Sequence, residues 1–115
     1  MTETELQRAI IETLKTLGFW VVRTARSKRR GRRDVHSLED GFPDLMVLQP
    51  LMFMEVKLPG GVMEETQVKW HAKAKEAGLP VCVVESARQA CQLMLGLRTE
   101  QEHRDRMGWE RTAVG

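Results

Sequence analysis

The sequence predicts an α/β sandwich, a mixed sheet with helices on its faces. Three observations lead there. Apolar residues recur at helical spacing near the N-terminus, and four short apolar runs of strand character follow. Between the last two runs lies a helical segment long enough for a right-handed parallel crossover. The predicted order is α-β-β-β-α-β-α, with the three early strands forming a meander.

The first helix opens at Thr2, where Thr2 and Glu5 fit a capping box: hydroxyl and carboxylate satisfy free N–H groups at the helix start. Leu6, Ile10, Leu14 and Leu17 then fall on one face, and Gly18 is a C-terminal stop. Phe19-Trp20-Val21-Val22 is expected to be the first strand. Residues 26–41 have no periodicity and read as a long loop, a kind of connection that in compact domains is usually functional or disordered. Asp44 to Leu48 and Leu51 to Lys57 are the second and third strands, with Gln49-Pro50 between them. Leu58-Pro59-Gly60-Gly61 breaks the pattern. Residues 64–77 read as a helix with acids in the first turn, matching its dipole, and Gly78 as its stop. Val81-Cys82-Val83-Val84 is a continuous apolar run of the buried-strand type. Ser86 caps a last helix from Ala87 to about Leu97. The expected layout is one domain over 1–97, carrying a basic loop at 23–41, with 98–115 as a charged tail or helix extension.

At 115 residues there is room for one small domain. Its 42% hydrophobic and 30% charged residues suit a soluble globular fold. A chain this short builds a modest core, which a second copy would supplement. No apolar run approaches the roughly 20 residues of a membrane span. The opening MTETELQRAI is polar and acidic, unlike a secretory leader. Cys82 and Cys91 lie in apolar segments without metal-ligand spacing, which predicts buried, reduced thiols and a cytoplasmic location.

The net charge of +2 conceals an asymmetry. The run RTARSKRRGRR at 23–33 holds Arg23, Arg26, Lys28, Arg29, Arg30, Arg32 and Arg33 and no acid. The remainder of the chain is net acidic. One basic segment on an acidic body points to a polyanion such as DNA.

The chemistry concentrates between Asp44 and Lys57. If the second and third strands form a hairpin around Gln49-Pro50, paired positions sum to 99 and Asp44 falls opposite Glu55. Directly opposed side chains have Cβ atoms roughly 4.5–5.5 Å apart. Lys57 shares the face of Glu55. A proline late in a tight turn is a poor fit for that hairpin. Two adjacent carboxylates repel unless a cation lies between them, and hard oxygen donors suit Mg²⁺ or Mn²⁺. Such an ion can bind a phosphate oxygen and lower the pKa of its water. Lys57 could orient the nucleophile or neutralise the transition state. This is the layout of a phosphodiesterase site.

Gly41-Phe42-Pro43-Asp44-Leu45, Met54-Glu55-Val56-Lys57, and Gln67 with Trp70 in a helix resemble the VRR-NUC (virus-type replication-repair nuclease) branch of the PD-(D/E)xK nucleases. Glu5-Leu6-Gln7 and Trp20-Val21-Val22-Arg23 fit the family's first helix and strand. The resemblance spans about residues 3–85. It implies an αβββαβ core and metal-dependent cleavage of DNA. Stand-alone members, often from phage, are similar to Holliday-junction resolvases and act as homodimers on branched DNA. By position the resemblance makes Asp44 and Glu55 metal ligands, the Val56 carbonyl a third contact, and Lys57 the catalytic lysine. It makes Glu5 the first-helix acid at the metal, with Glu3 and Glu12 as competitors and capping as the alternative role. Gln67 matches a helix glutamine that faces the site, and Trp70 is expected to pack on the sheet. The arginine-rich insert before Gly41 is longer than the family's loops.

The remaining histidines carry less. His36 reads as a solvent residue of the loop, His71 as a partly exposed helix residue, and His103 as part of the tail. The sequence is thus expected to encode a Mg²⁺- or Mn²⁺-dependent endodeoxyribonuclease, dimeric and acting on branched DNA. The alternatives are a nuclease on flaps, ends or duplex DNA, or a non-catalytic DNA-binding module.

Overall fold

The computed structural model describes residues 1–24 and 39–114, with side chains as far as residue 107. Helix α1 spans Glu3–Thr16, strand β1 Val21–Arg23, β2 Leu45–Leu48, β3 Leu51–Val56, helix α2 Glu65–Glu76, strand β4 Val81–Val84 and helix α3 Ala87–Val114. The strands lie in the order β1-β2-β3-β4. The first two pairings are antiparallel and β3 runs parallel to β4, the mixed α/β sheet expected from the sequence.

Strand alternation decides which face each residue serves. Leu45 and Val47 of β2, and Met52, Met54 and Val56 of β3, join Leu6, Ile10 and Leu14 of α1 and Ala90 and Met94 of α3 in one core. The intervening Phe53 and Glu55 point the other way, where Trp70 and Gln67 of α2 meet them. Helices therefore cover both faces, and the catalytic candidates sit on the α2 side.

The β2–β3 register pairs Leu45 with Met54, Met46 with Phe53, Val47 with Met52 and Leu48 with Leu51, so every pair sums to the expected 99. The Gln49–Pro50 peptide bond is cis, the form that admits proline at this position of a four-residue turn.

Several boundaries differ from the expectation. The first strand begins at Val21 rather than Phe19, because Phe19 is buried under the end of α1. There the Arg98 guanidinium stands 4.4 Å from its ring and donates to the Leu17 carbonyl at 2.8 Å, joining α3 to α1. Trp20, from the same apolar run, is 68% exposed. Strand β4 is half-buried rather than fully buried, since it forms an edge of the described sheet. Cys82 and Cys91 are likewise half-buried, not buried as expected, and both are free. Burial pushes the Cys82 thiol up to about 11. Helix α3 continues well past Leu97, to Val114. Among the described residues no helix is long and apolar enough to cross a membrane.

Gly41 fixes the approach of α2 to the turn before β2. Its φ is +81°, a conformation that costs an L side chain about 1–2 kcal/mol. A Cβ there would also clash with the Thr66 carbonyl. Gly41→Ala is therefore expected to lose at least about 2 kcal/mol, since strain and a backbone clash add. Urea unfolding followed by circular dichroism would measure it; an unchanged midpoint would contradict the close approach.

Candidate active site

Asp44 stands just before β2 and Glu55 next to last in β3, so the hairpin register carries the two carboxylates to one end of the sheet. The Asp44 Oδ2 accepts the Val56 N–H at 2.9 Å. The main-chain carbonyl of Asp44 accepts the Thr24 N–H at 3.0 Å. Asp44 is half-buried, whereas Glu55 is only 1% exposed.

Gln67 joins α2 to this pair. Its Oε1 accepts the Glu64 N–H at 2.8 Å, at the start of the helix. That leaves its Nε2 to donate to Glu55 Oε2 at 3.1 Å. The amide thus satisfies an open helix N–H and holds a buried carboxylate with its two ends. The other oxygen of Glu55, Oε1, is buried without a hydrogen-bond partner.

The electrostatics follow from this crowding. Burial and the neighbouring Asp44 carboxylate push the Glu55 carboxyl up to about 9, while the Lys57 ammonium opposes the shift. Lys57 is itself buried, and its N–H extends the parallel ladder by donating to the Val84 carbonyl at 3.1 Å. Two close carboxyl groups with an unpartnered buried oxygen form a hard oxygen donor set. Asp44 and Glu55 therefore fit a divalent cation such as Mg²⁺ or Mn²⁺, which would remove the repulsion between them.

Glu5 is engaged at the start of α1. Its carboxylate accepts the Thr2 N–H at 3.1 Å while its own N–H donates to the Thr2 hydroxyl at 3.1 Å, completing the capping box. The Thr2 bonds hold its carboxyl below the usual range. The charge of Glu3, on the same helix, adds a smaller upward push to the Glu55 carboxyl. Among the described residues no three acids, histidines or cysteines gather as a metal cluster. Arg23 is exposed at the end of β1. Arg26, Lys28, Arg29, Arg30, Arg32, Arg33 and His36 lie outside the described residues.

Trp70 is half-buried and packs its edge on Phe42 and Phe53, with ring centroids 4.9 and 5.4 Å away. Phe42 in turn meets Phe53 at 5.7 Å. This aromatic cluster clamps the segment before Asp44 against α2 and β3. His71, expected to be partly exposed, is instead buried, with Nε2 unpartnered, and burial lowers its proton affinity. Thr24 was given no part by the sequence; it stands 19 residues before Pro43, so no local signal flagged it.

The topology, with an acid before β2 and a Glu-x-Lys at the end of β3, is compatible with the PD-(D/E)xK nuclease core. A solved structure described as a VRR_NUC domain matches with a TM-score of 0.60 and 28% sequence identity, covering 80% of this chain and 92% of that one. By motif and by fold, this chain is similar to a VRR-NUC domain. No family profile and no curated protein sequence matches it.

The raised Glu55 carboxyl has a consequence for stability. The folded chain keeps a proton that the unfolded chain releases near the ordinary value of 4.5. The unfolded state then binds fewer protons, so stability falls as pH rises through the window from 4.5 to about 9. In chelator, the wild-type melting temperature should decline between pH 6 and 9. Glu55→Gln should flatten that decline and melt higher than wild type at pH 8; parallel profiles would refute the assignment.

Proposed function

We propose that this chain is a Mg²⁺- or Mn²⁺-dependent endodeoxyribonuclease, acting as a homodimer on branched DNA of the four-way-junction type. The observation that carries the reading is the meeting of Asp44 with the buried, half-unpartnered Glu55 on a strand that Lys57 directly follows. Similarity to a VRR_NUC domain supports the nuclease class. Cytoplasmic residence, and a nuclease unit over residues 1–97 with 98–115 as its extension, belong to the same proposal.

In this reading Asp44 and Glu55 hold the cation, with the Val56 carbonyl as a third contact. A bound divalent ion supplies charge neutralisation at phosphorus and acidifies water. The other work falls to the protein. The Val56 N–H and the Gln67 amide orient the two carboxylates. Lys57, on the same strand face as Glu55, neutralises charge that develops on the phosphate oxygens. Arg23 and the basic run to Arg33 hold phosphates flanking the cut. A dimer sets two such sites against opposite strands, as paired nicking of a junction requires.

The test is cleavage of a labelled four-way junction beside matched linear duplex, with Mg²⁺, Mn²⁺ or EDTA. Wild type should make paired, metal-dependent cuts in the junction. Asp44→Ala, Glu55→Ala and Lys57→Ala should each lose about 100-fold or more in rate. Equal cutting of linear duplex would keep the site and remove the junction preference. Tight binding without cleavage under any metal would make the chain a DNA-binding module. For the basic run, seven phosphate contacts give a log-affinity against log-salt slope of up to roughly −6 on duplex arms. Neutralising all seven should bring that slope near zero, and an unchanged slope would remove the run from the interface.

A further inference from the structure

The turn carrying Asp44 is held by a residue the mechanism above does not use. Thr24 follows β1 directly and is half-buried. Its N–H donates to the Asp44 carbonyl at 3.0 Å. Its hydroxyl donates to the Pro43 carbonyl. Both polar hydrogens of one threonine thus end on two consecutive carbonyls of the turn. Pro43 is fully buried and has no N–H, so that carbonyl is the only hydrogen-bonding group it owns. The next residue's carboxylate is fixed from the opposite side, by the Val56 N–H.

The geometry points to Thr24 as a positioning residue for the Asp44 carboxylate. It anchors the backbone of Asp44 to β1 while β3 anchors the side chain. The hydroxyl serves two ends: it satisfies a buried carbonyl and sets the height of Asp44 against Glu55. Groups that orient a metal ligand without touching the ion typically change affinity by about 10–100-fold when removed. The role in metal binding rests on the function proposed above; the role in placing Asp44 does not.

Thr24→Val removes the hydroxyl at nearly constant volume, Thr24→Ser retains it, and Thr24→Ala serves if the valine variant does not fold. Two quantities would be measured on the full chain without DNA. The first is amide exchange of Val56 in chelator, relative to Met54 and Val47 in the same sheet. The second is the affinity for Mn²⁺ by calorimetry. The valine variant is expected to exchange Val56 about 10-fold faster than wild type and to bind Mn²⁺ at least about 10-fold more weakly. The serine variant should match wild type in both. Unchanged Val56 exchange in the valine variant would overturn the inference outright. Faster exchange with unaltered Mn²⁺ affinity would uphold the placing of Asp44 and overturn its consequence for metal binding. Faster exchange in a chain whose wild type binds no Mn²⁺ would uphold the positioning of Asp44 and count against the metal-dependent reading alone.

Discussion

A carboxylate buried to 1% exposure, with one oxygen unpartnered, is the constraint around which this fold is organised. An ionised carboxylate in that position is costly unless something compensates it. The surroundings of Glu55 read as partial compensation. Gln67 donates to one oxygen, Lys57 brings opposite charge, and Asp44 raises the tension instead of relieving it. Four elements meet at that point because each brings one of these groups. The hairpin of β2 and β3 brings the acids, α2 the amide, and β4 the backbone partner of Lys57.

Holding such a group requires stiff neighbours, and they are built from ordinary packing. The core of α1, α3 and the opposite sheet face fixes β2 and β3 through Leu45, Val47, Met54 and Val56. Because these residues alternate with Phe53 and Glu55, packing on one face determines where the acid points on the other. A register slip of one residue would bury the wrong set on both sides. The aromatic contact of Phe42, Phe53 and Trp70 then closes α2 onto the sheet near the acids.

What could be read in the sequence was local or periodic. The register of β2 and β3 followed from a two-residue turn and simple counting, so the approach of Asp44 to Glu55 was legible before any coordinates. The capping box of Thr2 and Glu5 was legible for the same reason, since its partners are three residues apart. Tertiary facts were not. Nothing in the run Phe19-Trp20-Val21-Val22 tells which aromatic turns inward; Arg98, far along the chain, covers Phe19 and leaves Trp20 in solvent. The four apolar residues of β4 suggested two covered faces, but the run sits at a sheet edge. His71 looked like a surface residue because its helix neighbours are charged, yet it lies on the face of α2 that includes the buried Ala74. Glu5 and Glu3 differ by half a helical turn, and only the folded chain shows that the first is engaged at the cap.

The bonds from Thr24 to Pro43 and Asp44, with the Phe42 N–H on the Glu39 carbonyl, close a neck where the chain leaves β1 and returns to β2. Closing a loop costs only about 0.6 kcal/mol more for each doubling of its length. With its base pinned, the number of residues between the two points has little leverage on the carboxylates beyond it. The length of the connection can therefore change while the hairpin and its acids stay in place.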